Sequence, residues 1–215
     1  PALPAAMVGT AAPGTQAQRG IAPQRLPEAA REVRAIGQLY GASKSTVLTD
    51  AAATESSLRS LISRASVLHI ATHGFLEDAN PTYSHLQLSA TDVATRDHVN
   101  DGRLEAWEVQ DMTITADVAV LSACRSGGGG GFGEGVVGFT WSLFAAGAST
   151  AVVSQWEVDS ASTTTLMIAF HQGLMARNAA ATPPAALRQA QLSLLKNPQF
   201  RHPFYWAGFD VIGAR

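Results

Sequence analysis

The sequence predicts an α/β domain whose central sheet is mostly parallel and flanked by helices. Three observations lead there. Short apolar, β-branched runs recur at 67–71, 118–122 and 150–154, and such runs read as strands buried on both faces. Stretches of helical spacing separate them, an alternation that builds parallel sheets with helices on both sides. The chain has 215 residues, 46% hydrophobic and only 15% charged, enough for one large α/β core and short for two.

The elements follow in order. Residues 5–9 are apolar enough for a first strand, and 10–25, rich in Ala, Pro, Gly and Gln, predict a mobile loop. Residues 1–26 thus form an N-terminal strand and loop ahead of the main body at 27–215. Residues 26–39 have helical spacing, with Pro27 suited to a first turn and Gly41 just past the end. A short strand is expected at 47–48. Thr54 precedes a helix whose apolar face is Leu58, Leu61 and Ile62. After the strand at 67–71, residues 74–103 show little periodicity and predict a long loop with a hairpin-like excursion near 86–88. A short helix is expected at 104–109 and the second core strand at 118–122. Residues 127–135 are mostly glycine and cannot hold regular structure. Helices at 134–146, 160–175 and 183–195 and strands at 150–154 and 206–212 complete the pattern, with Gly147 ending the first of these helices.

Composition excludes several function classes. The net charge is −2 with no basic run, which argues against a nucleic-acid-binding footprint. No stretch reaches the roughly 18–20 apolar residues of a membrane span, and the opening residues are not expected to act as a secretory leader, lacking its charged-then-apolar pattern. One cysteine, Cys124, allows no intrachain disulfide and fits a reducing, cytoplasmic setting. The first residue is Pro1, so the chain is expected to be a piece of a longer protein.

Two core strands each end in small residues and one reactive side chain: Ala71-Thr72-His73-Gly74 and Ser122-Ala123-Cys124-Arg125. In open parallel sheets, chemistry gathers just beyond the carboxyl ends of the strands. Adjacent strands lie about 4.8 Å apart, so His73 and Cys124 can share one substrate atom. Cys124 is the expected nucleophile and His73 the general acid/base. The backbone N–H groups of Gly74 and Cys124 are the expected oxyanion donors. Trp156, Glu157 and Asp159 leave the third core strand and are candidate substrate-binding residues, an apolar wall and an acidic floor for a basic side chain; the alternative for Asp159 is to cap the next helix. Glu134 is expected to cap rather than catalyse. His69 and His73 mimic a helical chelate, but on a strand four residues span about 13 Å, so His69 reads as a core histidine and no metal or other cofactor is called for. His85, His98, His171 and His202 carry no partner pattern. The glycine run lacks the Lys-Ser/Thr ending of a phosphate-binding loop.

The segments Leu68-His69-Ile70-Ala71-Thr72-His73-Gly74, Asp101-Gly102-Arg103-Leu104 and Val120-Leu121-Ser122-Ala123-Cys124-Arg125-Ser126-Gly127 resemble the CHAT peptidases, a caspase-like group of cysteine peptidases related to separase. Ser154-Gln155-Trp156 and His202-Pro203-Phe204-Tyr205-Trp206 continue the likeness in the same order. The resemblance implies a caspase-hemoglobinase-like three-layer sandwich. It implies the dyad His73 and Cys124, a protein or peptide substrate, and an activating or regulatory region such as tetratricopeptide repeats ahead of the domain. Related bacterial proteins are protease effectors in defence. The long glycine run at 127–131 departs from the family pattern. Two rivals stand beside the peptidase reading: a non-cleaving interaction module on the same fold, and an acyl hydrolase or transferase using the same dyad.

Overall fold

The structure, a computed structural model, describes residues 5–10, 26–77, 79–90, 100–125, 134–156, 158–176 and 182–213, with backbone alone at 124–125 and 134–137. In chain order the elements are β1 (Ala5–Gly9), α1 (Pro27–Tyr40), β2 (Ser45–Thr49), α2 (Glu55–Ile62), β3 (Val67–Phe75), β4 (His85–Gln87), β5 (Arg103–Glu105), α3 (Ala106–Gln110), β6 (Val118–Arg125), α4 (Glu134–Ala145), β7 (Thr150–Ser154), α5 (Ser160–Met175), α6 (Pro183–Lys196) and β8 (Phe209–Gly213).

The sheet runs β2-β1-β3-β6-β7-β8, with β4 and β5 branching from the end of β3. The pairs β2–β1, β1–β3, β3–β6 and β6–β7 are parallel, while β8 closes one edge antiparallel to β7. Period-two alternation sorts the core strands into two layers. Leu68, Ile70, Ala119 and Leu121 face Leu58 and Ile62 of α2, Val109 of α3, and Phe139 and Leu143 of α4. Val67, Ala71, Val118 and Val120 face Val33 and Ile36 of α1, Leu166 and Phe170 of α5, and Leu187 and Leu194 of α6. This is the three-layer sandwich that the sequence predicts.

Four details differ from the sequence expectation. First, β3 and β6 run on through Phe75 and Arg125, so His73 and Cys124 lie in the last residues of their strands and not beyond them. The ladder is prolonged because β4 pairs with Gly74 and Phe75 while β6 stays in register through Gly74. Second, part of the expected loop at 74–103 is sheet: β4 and β5 are an antiparallel pair. Third, the helix expected at 104–109 starts at Ala106, because Glu105 and Glu108 form a reciprocal capping box there. Fourth, the last strand begins at Phe209, after a single helical turn over Pro203–Tyr205. No helix among the described residues is long and apolar enough to cross a membrane.

The β4–β5 pair is anchored from α2. Gly102 sits at φ +90°, and a Cβ there would meet the Ala90 backbone at 3.0 Å, so the position requires glycine. Its N–H donates to the buried Glu55 carboxylate at 2.6 Å, and Arg59 bonds Glu108 at 2.8 Å. Burial pushes the Glu55 carboxyl up to about 7, opposed by the Gly102 N–H and reinforced by the Glu108 charge. Burial favours the protonated acid. Its contribution to stability is therefore full below the ordinary value of 4.5 and is lost as pH rises through about 7. Wild type should lose on the order of 2–3 kcal/mol between pH 4.5 and 8 relative to Glu55→Gln, read as the difference between their urea unfolding curves. Equal pH slopes would show that Glu55 ionises normally.

Candidate active site

Strand β3 enters the sheet between β1 and β6 because five of its first residues are apolar or β-branched and buried. Its ladder with β6 pairs Val67 with Val118 and continues without a bulge to His73 opposite Cys124 and Gly74 opposite Arg125. Registered residues of parallel strands lie on one face, so the imidazole-bearing and thiol-bearing positions are neighbours at the carboxyl rim. The two positions share the parity of the layer facing α1, α5 and α6. The end of β7 steadies this rim, since the Ser154 hydroxyl donates to the Ala123 carbonyl at 2.7 Å, one residue before Cys124.

His73 is half-buried, and its ring lies 6.4 Å from that of Phe75. Phe75 stacks in turn on His85, with centroids 4.8 Å apart and planes 13° apart. Burial, with the nearby Arg103 charge, lowers His85 to about 4, so this imidazole is neutral near pH 7. On the opposite parity, a small cleft of about 30 Å³ opens at the same rim between β4, α4 and the ends of β3, β6 and β7. Gly74 and Ala123, the chain neighbours of His73 and Cys124, both line it.

The remaining sequence-predicted site residues fall elsewhere. Trp156 is half-buried, donating its indole N–H to the Phe204 carbonyl at 3.4 Å, and an added Cβ on Gly208 would meet the same ring at 3.0 Å. It packs on the segment leading into β8. Asp159 is the N-cap of α5 and accepts the Ser162 N–H at 2.9 Å, so the capping alternative describes its observed contact. Glu157 and the glycine run at 127–131 lie outside the described residues, as does His98. Glu134 opens α4, and the structure describes only its backbone. His202 accepts the Phe204 N–H at the turn before β8.

His69 is fully buried and belongs to a hydrogen-bonded chain that sequence reasoning missed. Its Nε2 lies 2.8 Å from Glu32 Oε1 of α1, and its Nδ1 lies 3.0 Å from His171 Nε2 of α5. His171 Nδ1 lies 3.0 Å from the Tyr40 hydroxyl. One proton on each ring satisfies every link: Tyr40 O–H donates to His171, His171 Nε2–H to His69, and His69 Nε2–H to the carboxylate, which can only accept. Burial, then the proximity of the His69 ring, holds His171 well below its ordinary range, and burial pushes the Tyr40 phenol up. Thr164 adds a longer bond to Glu32 Oε2, 3.4 Å. The expected core role of His69 is what the structure shows, and no trio of His, Cys, Asp or Glu among the described residues is placed to hold a metal ion.

The sequence profile of the CHAT domain matches residues 2–214. The chain belongs to the CHAT domain family. Among curated proteins it is similar to tetratricopeptide repeat protein 28 of Homo sapiens, 26% identical over 216 residues covering 88% of this chain and 8% of that protein. The Mus musculus protein of the same name is 24% identical, with 88% of this chain and 9% of that protein covered. This chain therefore spans less than a tenth of the curated relatives it matches. Among solved structures it is similar to the Arg-specific cysteine proteinase gingipain R, with a TM-score of 0.59 and 14% identity over 97% of this chain and 45% of that one. It is equally similar, at TM-score 0.59 and 12% identity, to the complex of the pro- and mature domains of Porphyromonas gingivalis RgpB, covering 98% of this chain and 47% of that one. These likenesses show a caspase-like fold.

Proposed function

We propose that this CHAT domain is a caspase-like cysteine endopeptidase acting on a protein partner. The in-register placement of His73 opposite Cys124 at the carboxyl rim is the observation that supports this most. The Cys124 sulfur attacks the scissile carbonyl carbon as its proton passes to His73, and the Cys124 amide meets the oxyanion. His73 then protonates the leaving amine, leaving a thioester. Water attacks that thioester, His73 takes the water proton, and its return to sulfur frees the carboxylate and the thiol. The solved structures that share the fold are titled cysteine proteinases, which supports the reaction class. The tetratricopeptide repeat relatives support a regulatory region of that kind as partner, and a cytoplasmic setting suits a free thiol. Those same relatives favour the second reading, a protein-interaction module on this fold. The test is a proteome-derived peptide library incubated with the protein and with Cys124→Ala. Cleavage by the first alone supports the peptidase, and no cleavage by either favours the module.

A further inference from the structure

A general acid/base works only while its ring keeps one orientation toward the nucleophile, and the rings around His73 bear on how that orientation is kept. Along β3 the residues on the same face as His73 are Ala71 and Phe75, two positions before and after it. Ala71 brings only a buried methyl group. Phe75 brings a ring whose centroid is 6.4 Å from that of His73 and whose plane is tilted by 45° to it, within the roughly 4.5–7 Å over which such rings interact. The Phe75 ring is itself held from the next strand. His85 is directly opposite Phe75 in the β3–β4 pair, and the two rings stack with centroids 4.8 Å apart and planes 13° apart. Cross-strand aromatic pairs of this kind fix side chains on a sheet face. His85 is buried, and its Nδ1 lies 3.4 Å from the Tyr83 carbonyl.

The backbone is braced at the same place. The pairing of β1 with β3 ends at Ala71, and β4 takes up β3 again at Gly74 and Phe75. Between these two ladders the Thr72 hydroxyl donates to the Gln87 carbonyl of β4, and the Gln87 amide donates to the Gly102 carbonyl at 2.8 Å. The β4–β5 hairpin therefore grips β3 on both sides of His73. We infer that Phe75, clamped by the His85 ring, is a positioning residue that keeps the His73 imidazole aligned with Cys124. The inference rests on the peptidase reading. His85 acts in it as a flat surface and not as a proton partner, because burial and then the Arg103 charge leave it neutral near pH 7. Phe75 is half-buried, so it can be replaced without opening the core.

The test combines the pH dependence of Cys124 alkylation by iodoacetamide with the kinetics of cleavage of a peptide drawn from the library. Phe75→Ala should slow alkylation at pH 7 by about threefold or more and move its midpoint upward, the direction expected of His73→Ala. It should lower kcat by about tenfold and leave KM within about twofold, because a misaligned base weakens the chemical step and not binding. Phe75→Leu, which keeps apolar bulk without a ring, should show the same losses and serves if the alanine variant does not fold. Phe75→Tyr and His85→Phe keep two stacked rings and should restore the wild-type curves, the second without any titrating nitrogen at that position. In a His73→Ala background, Phe75→Ala should change nothing further, since it acts only through the imidazole. Wild-type curves in Phe75→Ala or Phe75→Leu, beside a displaced curve in His73→Ala, overturn the inference and leave the peptidase reading standing. A further loss in the double variant does the same. A wild-type protein that cuts no peptide, or whose thiol reacts like that of His73→Ala, overturns both.

Discussion

Cys124→Ala should abolish peptide cleavage, a fall on the order of 10³-fold or more, while the thermal unfolding curve stays within about 0.5 kcal/mol of wild type. His73→Ala should cost on the order of 10²–10⁴-fold, the usual range for a general acid/base. The double replacement should be no worse than Cys124→Ala alone, because members of one catalytic unit are not additive. The reasoning is geometric. The two residues are opposed in one parallel ladder, so each is useful only while the other is present. Additive losses in the double variant would mean that they act separately and would remove the dyad.

The second large effect is on stability. His69→Ala should destabilise the protein by about 3–5 kcal/mol, lowering the melting temperature by about 6–20 °C at this chain length. The imidazole is fully buried and joins β3 to α1 through Glu32 and to α5 through His171. Removing it strands a buried carboxylate on one side and a buried ring nitrogen on the other. Glu32→Ala should be nearly as damaging, and the pair of changes together less than additive, since each leaves the other's partner orphaned. Calorimetry or urea unfolding reads this directly. A loss below about 1 kcal/mol in His69→Ala would mean that the chain of hydrogen bonds contributes little to the native state.

The parts that could be read from sequence were those written in consecutive residues. The runs at 67–71, 118–122 and 150–154 announce β3, β6 and β7 because burial on both faces leaves a continuous apolar signature. Asp159 before Ser160 and Gly147 after Ala146 mark helix ends through local chemistry: a side-chain cap, and a φ of +112° where a Cβ would meet the Ile114 carbonyl oxygen at 2.6 Å. The positions of His73 and Cys124 at strand ends were legible for the same reason. What escaped was specified across the fold. The strands β4 and β5 have three residues each, too few to show a period. Their pairing depends on Glu55, which is 47 residues before the Gly102 amide it binds. The partners of His69 come from 37 residues before it and 102 after it, so no local pattern identifies them. The apolar cleft is likewise assembled from β3, β4, β6, β7 and α4, and only the packed sheet brings its walls together.

The most direct test of the central claim is the rate of Cys124 alkylation by iodoacetamide between pH 5 and 9, followed by intact mass in the wild type and in His73→Ala. An imidazole beside the sulfur stabilises the thiolate, so the wild-type thiol should react well below the unperturbed pKa of about 8.5. In His73→Ala the midpoint should move upward and the rate at pH 7 fall by about tenfold or more. Superimposable pH–rate curves for the two proteins would contradict the pairing of His73 with Cys124.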